Sequence, residues 1–232
     1  MRFRVLIILL LTVGCLNTAR AQNAVRGNLS ADFVSSYVWR GLSLGSSSFQ
    51  PEIALGWKGL EFSVWGSTGL AEPRNEIDLT VSYQIGGLKF SIADYWDDGT
   101  GTRYFLYRPR ETGHSFEGSV EYNFGPVAIS WQTFFAGADY QRADGRRAFS
   151  SYFEVSVPFR LITLDWEARA GIVPWASDYY GTKGFAFQMV SLKATKAIPI
   201  TERFSLPLFA ELMAAPSTGR LYFVAGLTVK VF

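Results

Sequence analysis

From Asn28 onward, apolar and polar residues alternate along the chain with a period of two, which is the signature of strands with one apolar face. Twelve such runs can be drawn: Asn28 to Arg40, Ser48 to Trp57, Leu60 to Ser67, Asn75 to Ile85, Leu88 to Trp96, Ser115 to Phe124, Val127 to Ala136, Ala148 to Phe159, Leu161 to Ile172, Phe185 to Ile198, Phe204 to Met213, and Arg220 to the end of the chain. The fourth is the cleanest, with Ile77, Leu79, Val81, Tyr83 and Ile85 against Glu76, Asp78, Thr80, Ser82 and Gln84. The tenth has the poorest phase and is expected to shift near Gln188. In the last, Leu221, Phe223, Ala225, Leu227, Val229 and Val231 oppose Tyr222, Val224, Gly226, Thr228 and Lys230, and the run is expected to pair with the first.

The connections alternate in length. Short ones fall at Lys58-Gly59, Gly86-Gly87, Gly125-Pro126, around Arg160, and at Pro199 to Arg203. Most of the others are longer: Gly41 to Ser47, Asp97 to His114, Gly137 to Arg147 and Val173 to Gly184. Short turns at one end and long loops at the other predict an all-β fold: an up-and-down antiparallel transmembrane β-barrel of 12 strands, with short periplasmic turns and longer extracellular loops. Alternation alone also fits a soluble sandwich. The lipid-facing reading rests on run length, on the scarcity of lysine on the polar phase, and on aromatics at both ends of the apolar phase. Trp57, Tyr83, Tyr122, Phe124, Phe159 and Phe204 would form the girdle at the turn end. Tyr37, Trp39, Phe49, Phe135, Phe149 and Phe223 would form the one at the loop end.

Composition changes this picture in one respect. Residues 1–21 read as a secretory signal: Arg2 and Arg4, the apolar run Val5 to Val13, and the small-x-small site Ala19-Arg20-Ala21. A rival cut before Cys15 would make a lipoprotein. Removing the signal leaves 19 basic against 20 acidic residues, so the positive balance of the whole chain carries no message about nucleic acid. The mature part, residues 22–232, would be a single barrel domain without cysteine, and so without disulfides or thiol chemistry.

The stretch Val34-Ser35-Ser36-Tyr37-Val38-Trp39-Arg40-Gly41 resembles the SxYxxRG motif that opens the TorF-type porins, small outer-membrane proteins of uncharacterised function. Asn75 to Tyr83 and Ala93 to Asp97 are similar to that family too. The resemblance implies an outer-membrane location and a pore, and it transfers no catalytic residue. The closing strand also resembles that of bacterial outer-membrane barrels, which the barrel-assembly machinery reads. Gly226, Val229, Val231 and Phe232 fit the spacing of that signal.

If the aromatic phase faces lipid, the other phase lines the lumen. Its acids would be Asp32, Glu52, Glu61, Glu76, Asp78, Glu117, Glu121, Glu154, Asp165, Glu167 and Glu211. Its bases would be Arg40, Lys89, Arg169, Lys193 and Lys230, so the lumen leans negative and would favour cations. Five bases cannot pair eleven acids, and buried charges must pair to persist. Arg40 is expected to pair with a nearby acid such as Glu52, with Gly41 letting the chain turn into its loop. Arg103, Arg108, Arg110, Arg142, Arg146 and Arg147 in the long loops could touch lipopolysaccharide phosphates.

Three functions follow from this reading. The first is a porin or channel for small solutes. The second is a non-conducting structural or adhesion barrel. The third is a hydrolase at the mouth, using Asp97 with His114, the one histidine of the chain. Neither a metal site nor a cofactor motif is found. The expected partners are outer-membrane lipid, lipopolysaccharide, the assembly machinery and small solutes, with no nucleic acid.

Overall fold

The computed structural model describes residues 25–71, 74–202 and 204–231. The signal segment, Cys15 and Phe232 lie outside the described residues. Fourteen strands follow in order: β1 (Arg26–Val34), β2 (Tyr37–Trp39), β3 (Leu42–Gly45), β4 (Ser48–Trp57), β5 (Leu60–Gly69), β6 (Asn75–Ile85), β7 (Leu88–Asp97), β8 (Ser115–Asn123), β9 (Ala128–Gly137), β10 (Ser151–Leu161), β11 (Leu164–Val173), β12 (Ala186–Pro199), β13 (Ser205–Ala215) and β14 (Arg220–Lys230). Twelve of them close an antiparallel barrel in the order β1-β14-β13-β12-β11-β10-β9-β8-β7-β6-β5-β4. The other two, β2 and β3, pair only with each other.

The wall follows the alternation. Ile53, Leu55, Trp57, Val81, Tyr83, Ile92, Val120, Tyr122, Phe187, Leu212 and Phe223 stand exposed on the outer face. Between them, Ser48, Gln50, Asp78, Ser82, Glu117, Ser191 and Glu211 are buried. A closed sheet satisfies every strand edge, so only such a wall, or a helix, can hold its backbone in an apolar surrounding. Closure occurs between the first and last strands. Ser30 to Val34 pair with Lys230 to Gly226, and Ser35 and Ala225 exchange one further pair of hydrogen bonds. Val229, on the outward phase of the last strand, lies opposite Ala31. Gly226 sits where a Cβ would meet the Phe33 carbonyl oxygen at 2.6 Å and the Phe209 ring at 2.5 Å, so no larger residue fits that seam.

The register shift expected in the tenth run is present. Gly171 pairs with Met189 and Ile172 with Phe187, leaving Gln188 as the extra residue of a bulge that turns both Gln188 and Met189 inward. One short turn is displaced from the sequence reading. The turn expected around Arg160 lies at Ile162-Thr163, because β10 runs on to Leu161. Neither residue is a usual turn former, yet both take positive φ, 49° and 62°.

The larger correction concerns the first run. It was expected to continue as one wall strand to Arg40, but it leaves the wall after Val34. The chain bends at Ser35-Ser36 and returns as the β2–β3 hairpin, whose tip is Arg40-Gly41. Tyr37 and Trp39 therefore do not belong to the loop-end girdle. The hairpin carries them to partners inside the barrel.

Candidate functional site

The hairpin is a two-residue turn with positive φ at both tip residues, 47° at Arg40 and 76° at Gly41. That is the primed turn whose twist matches the strands it joins, and its second position favours glycine. Gly41 is demanded twice over, since a Cβ there would lie 2.6 Å from the Gln188 carbonyl oxygen of β12. The sequence motif is thus a folding instruction. Ser35 caps the seam through its Oγ, which accepts from the Ala225 amide. Tyr37 packs on Trp65 at 5.6 Å, Arg40 reaches across the barrel, and Gly41 makes the turn.

Arg40 is the centre of the site. Its guanidinium donates to both carboxylate oxygens of Glu117, Nη1 to Oε2 at 2.6 Å and Nη2 to Oε1 at 2.9 Å, and Nη1 also donates to the Tyr180 hydroxyl at 2.8 Å. A bidentate fork of this kind fixes orientation as well as charge. The partner is Glu117 of β8, 77 residues away in sequence, and not Glu52. Glu117 is only 3% exposed and accepts a further bond from the Tyr95 hydroxyl at 3.1 Å. Burial alone would pull the Arg40 guanidinium down, but Tyr180 and Glu117 hold it well above its ordinary value, so it stays charged. Burial pushes the Tyr179 and Tyr180 phenols up, so both stay neutral.

An aromatic shell surrounds this charge. The Arg40 guanidinium lies 4.2 Å from the Trp39 ring centre and 4.9 Å from that of Tyr152. Trp39 stacks on Tyr180, and Tyr179 packs on Phe134 at 4.3 Å. Phe134, Tyr152, Val173 and Tyr180 are essentially inaccessible, with Trp39, Leu42, Tyr95 and Tyr179 packed against them. Tyr179 and Tyr180 come from the loop between β11 and β12, so two loop-end segments fold inward and meet. The sequence reading missed this shell. Two signals were present: the adjacent aromatics Phe134-Phe135, which cannot share one face of a strand, and Tyr152, an aromatic on the polar phase.

The inward charges differ in their surroundings along the barrel. Near the turns, Glu61, Glu121 and Asp165 are exposed, and Asp32, Glu52 and Lys89 are half-buried. Deeper, Arg169 bonds Glu211, with Glu167 at 3.8 Å, and Glu154 accepts from the Tyr152 hydroxyl at 3.1 Å. Lys193 lies over the Phe209 ring at 4.2 Å. Near the loops, Arg74 joins Asp97 at 2.9 Å and donates to the Leu44 carbonyl of the hairpin at 2.6 Å. Glu76 stands directly across from Asp97 in the sheet, with Asp78 two residues further in.

His114 and Asp97 do not form a dyad. Asp97 is on the inward phase of β7, whereas His114 is on the outward phase with Phe116 and bonds Asp94 through Nδ1 at 2.8 Å. Its Nε2 is taken by the Tyr104 carbonyl oxygen. Tyr107 stacks on the ring at 4.2 Å, so the 98–113 loop is folded against the outer face of the wall. With both ring nitrogens engaged, this histidine holds a loop and has no free nitrogen to activate water. Among the described residues no group of three or more His, Cys, Asp or Glu is arranged to hold a metal ion.

No family model matches the chain, and no curated protein matches it. Solved structures do. The chain is similar to the Salmonella typhi outer membrane phospholipase dimer with bound calcium, at 10% identity and a TM-score of 0.42, covering 93% of this chain and 96% of that one. It is similar to Pseudomonas aeruginosa OccK8 (OprE), at 13% identity and 0.40, covering 88% and 63%. It is also similar to a mutant of the Rh. blastica porin, at 10% and 0.38, covering 89% and 100%. Likeness at these values carries no argument about function.

Proposed function

We propose that this chain is an outer-membrane β-barrel channel for small solutes, favouring cations, whose loop end is closed by the inward hairpin in the state described. The outer face supports the membrane location: apolar side chains stand exposed around the whole wall, a surface that water would penalise and lipid would not. The inward acids support the cation preference, since they outnumber the inward bases and both inward arginines, Arg40 and Arg169, are committed to particular carboxylates. The resemblance of Ser35–Gly41 to TorF-type porins agrees with this reading. Gly226, Val229, Val231 and Phe232 would serve assembly, and the arginines of the long loops would meet lipopolysaccharide at the outer rim.

One observation carries the proposal. The obstruction at the loop end is shared between the wall (Tyr95, Phe134, Tyr152, Val173) and segments that leave it, the hairpin with Trp39 and Leu42 and the loop with Tyr179 and Tyr180. A segment that leaves the wall to fill the lumen can be removed while the twelve wall strands stay in place. The test is conductance in planar bilayers. The native barrel should give rare or small steps. A variant lacking residues 37–45, with Ser36 joined to Ser46, should give larger and cation-selective ones. A folded variant barrel that gives no steps would overturn the channel and leave the structural, non-conducting barrel.

A further inference from the structure

We infer that the inner surface beside the hairpin is a binding site for a small organic ammonium ion, with Glu76 and Asp78 as its counter-charges. The inference rests on the cation-channel reading and names the class of solute it would serve. A cavity of about 80 Å³ lies between the hairpin and β4–β6, lined by Tyr37, Leu44, Ser48, Ser67, Arg74 and Glu76, among others.

The charges around it do not balance. Arg40 is committed to both oxygens of Glu117. Arg74 is committed to Asp97 and to the Leu44 carbonyl. Glu76 shares the cavity wall with Arg74 and meets the Tyr37 hydroxyl, whereas Asp78 has no basic residue in contact among the described residues. They sit on the inward phase of one strand, two residues apart. Asp78 is only 9% exposed, and its Oδ1 is buried with no hydrogen-bond partner. A buried carboxylate oxygen without a partner is costly, so a cationic donor there gains both a charge and a hydrogen bond.

The rest of the lining suits an ammonium. Three N–H donors need several acceptors converging from different directions, which the Glu76 carboxylate and the hydroxyls of Ser48 and Ser67 on the cavity wall can provide, with the Asp78 carboxylate two residues further along β6. Asp78 faces Trp65 on one neighbouring strand and Tyr95 on the other, and Tyr37 packs on Trp65. Aromatic faces attract a cation's alkyl and charged parts together. The absence of a three-ligand metal arrangement among the described residues argues for an organic cation over a divalent ion. Leu44 and Tyr37 belong to the hairpin, so a bound cation would touch plug and wall at once.

Calorimetric titration of the folded, detergent-solubilised barrel with ethylammonium chloride tests this, with sodium acetate as the control. Native protein should show saturable heat with ethylammonium and none with sodium acetate. Asp78→Asn and Glu76→Gln should each weaken binding roughly tenfold or more. Asp165→Asn, an exposed acid at the turn end, should bind as native does. No saturable heat, equal binding by the Glu76→Gln/Asp78→Asn variant, or equal heat from sodium acetate would each overturn the site. Binding is read apart from conductance. A barrel that binds ethylammonium yet never conducts keeps the site and loses the channel. One that conducts without binding keeps the channel and loses the site.

Discussion

Replacing Arg40 by Met should undock the hairpin without unfolding the barrel. The substitution keeps much of the side-chain length and removes the fork that holds Glu117 at 2.6 and 2.9 Å. Glu117 is left 3% exposed with only the Tyr95 hydroxyl as partner. Removing one member of a buried pair costs about 3–5 kcal/mol, because the other charge stays behind. The hairpin can escape that cost by leaving, which lets water reach Glu117. At about 1.4 kcal/mol per factor of ten, the undocked fraction should rise by roughly two to four orders of magnitude. A free hairpin of this size does not persist in water, so the amides of β3, which has no partner strand but β2, lose protection once undocked. Hydrogen exchange at Leu42 to Gly45 in the folded barrel measures this directly, while exchange in β6 and β13 reports the wall. Arg40→Met combined with Glu117→Met removes both charges and should recover most of the protection, since an apolar pair of similar volume is tolerated. Hairpin amides as protected in Arg40→Met as in the native protein would refute the reasoning. So would a double variant as exposed as the single one.

Two further outcomes are expected. Ile162→Asn with Thr163→Gly should stabilise the barrel by about 1–2 kcal/mol, because both residues now occupy the left-handed region where such side chains are strained; denaturant midpoints measure it, and an unchanged or lower midpoint refutes it. His114→Ala should loosen the 98–113 loop, which keeps contacts to Trp96 and Phe116 but loses the ring that Tyr104 and Tyr107 close on, so trypsin should cut at Arg103, Arg108 or Arg110 roughly tenfold faster while the barrel core stays intact.

The wall was legible because a closed sheet with an apolar outer face and a polar inner one alternates residue by residue, and most of its short turns leave a local mark. Asn75 to Ile85 shows this at its clearest, and the fault at Gln188 was visible as a shift of phase before its partner strand was known. The turn at Ile162-Thr163 was not, since neither residue advertises a left-handed conformation. The end of the first strand was illegible for a different reason. Tyr37 and Trp39 continue the outward phase of Leu29, Ala31 and Phe33 without a break, so nothing local says that the chain turns inward. That outcome is decided by Glu117 and Tyr180, far along the chain, which no window around Arg40 contains. The candidate site was half visible in the same way. The inward acids follow from phase, but which of them are already paired depends on Arg40 crossing the lumen to Glu117 and on Arg169 reaching Glu211 two strands away.

The unbroken phase from Leu29 to Trp39 has a consequence of its own. Extending the register that sets Val34 opposite Gly226 would bring Tyr37 opposite Phe223 and Trp39 opposite Leu221 on the outer face. Residues 35–40 are thus written for two pairings, one with β3 inside the barrel and one along the upper part of β14. A hairpin leaving the lumen need not dangle in water, because an edge of matching pattern stands beside it. Opening and closing would then exchange one set of backbone hydrogen bonds for another, a zipper with two tracks.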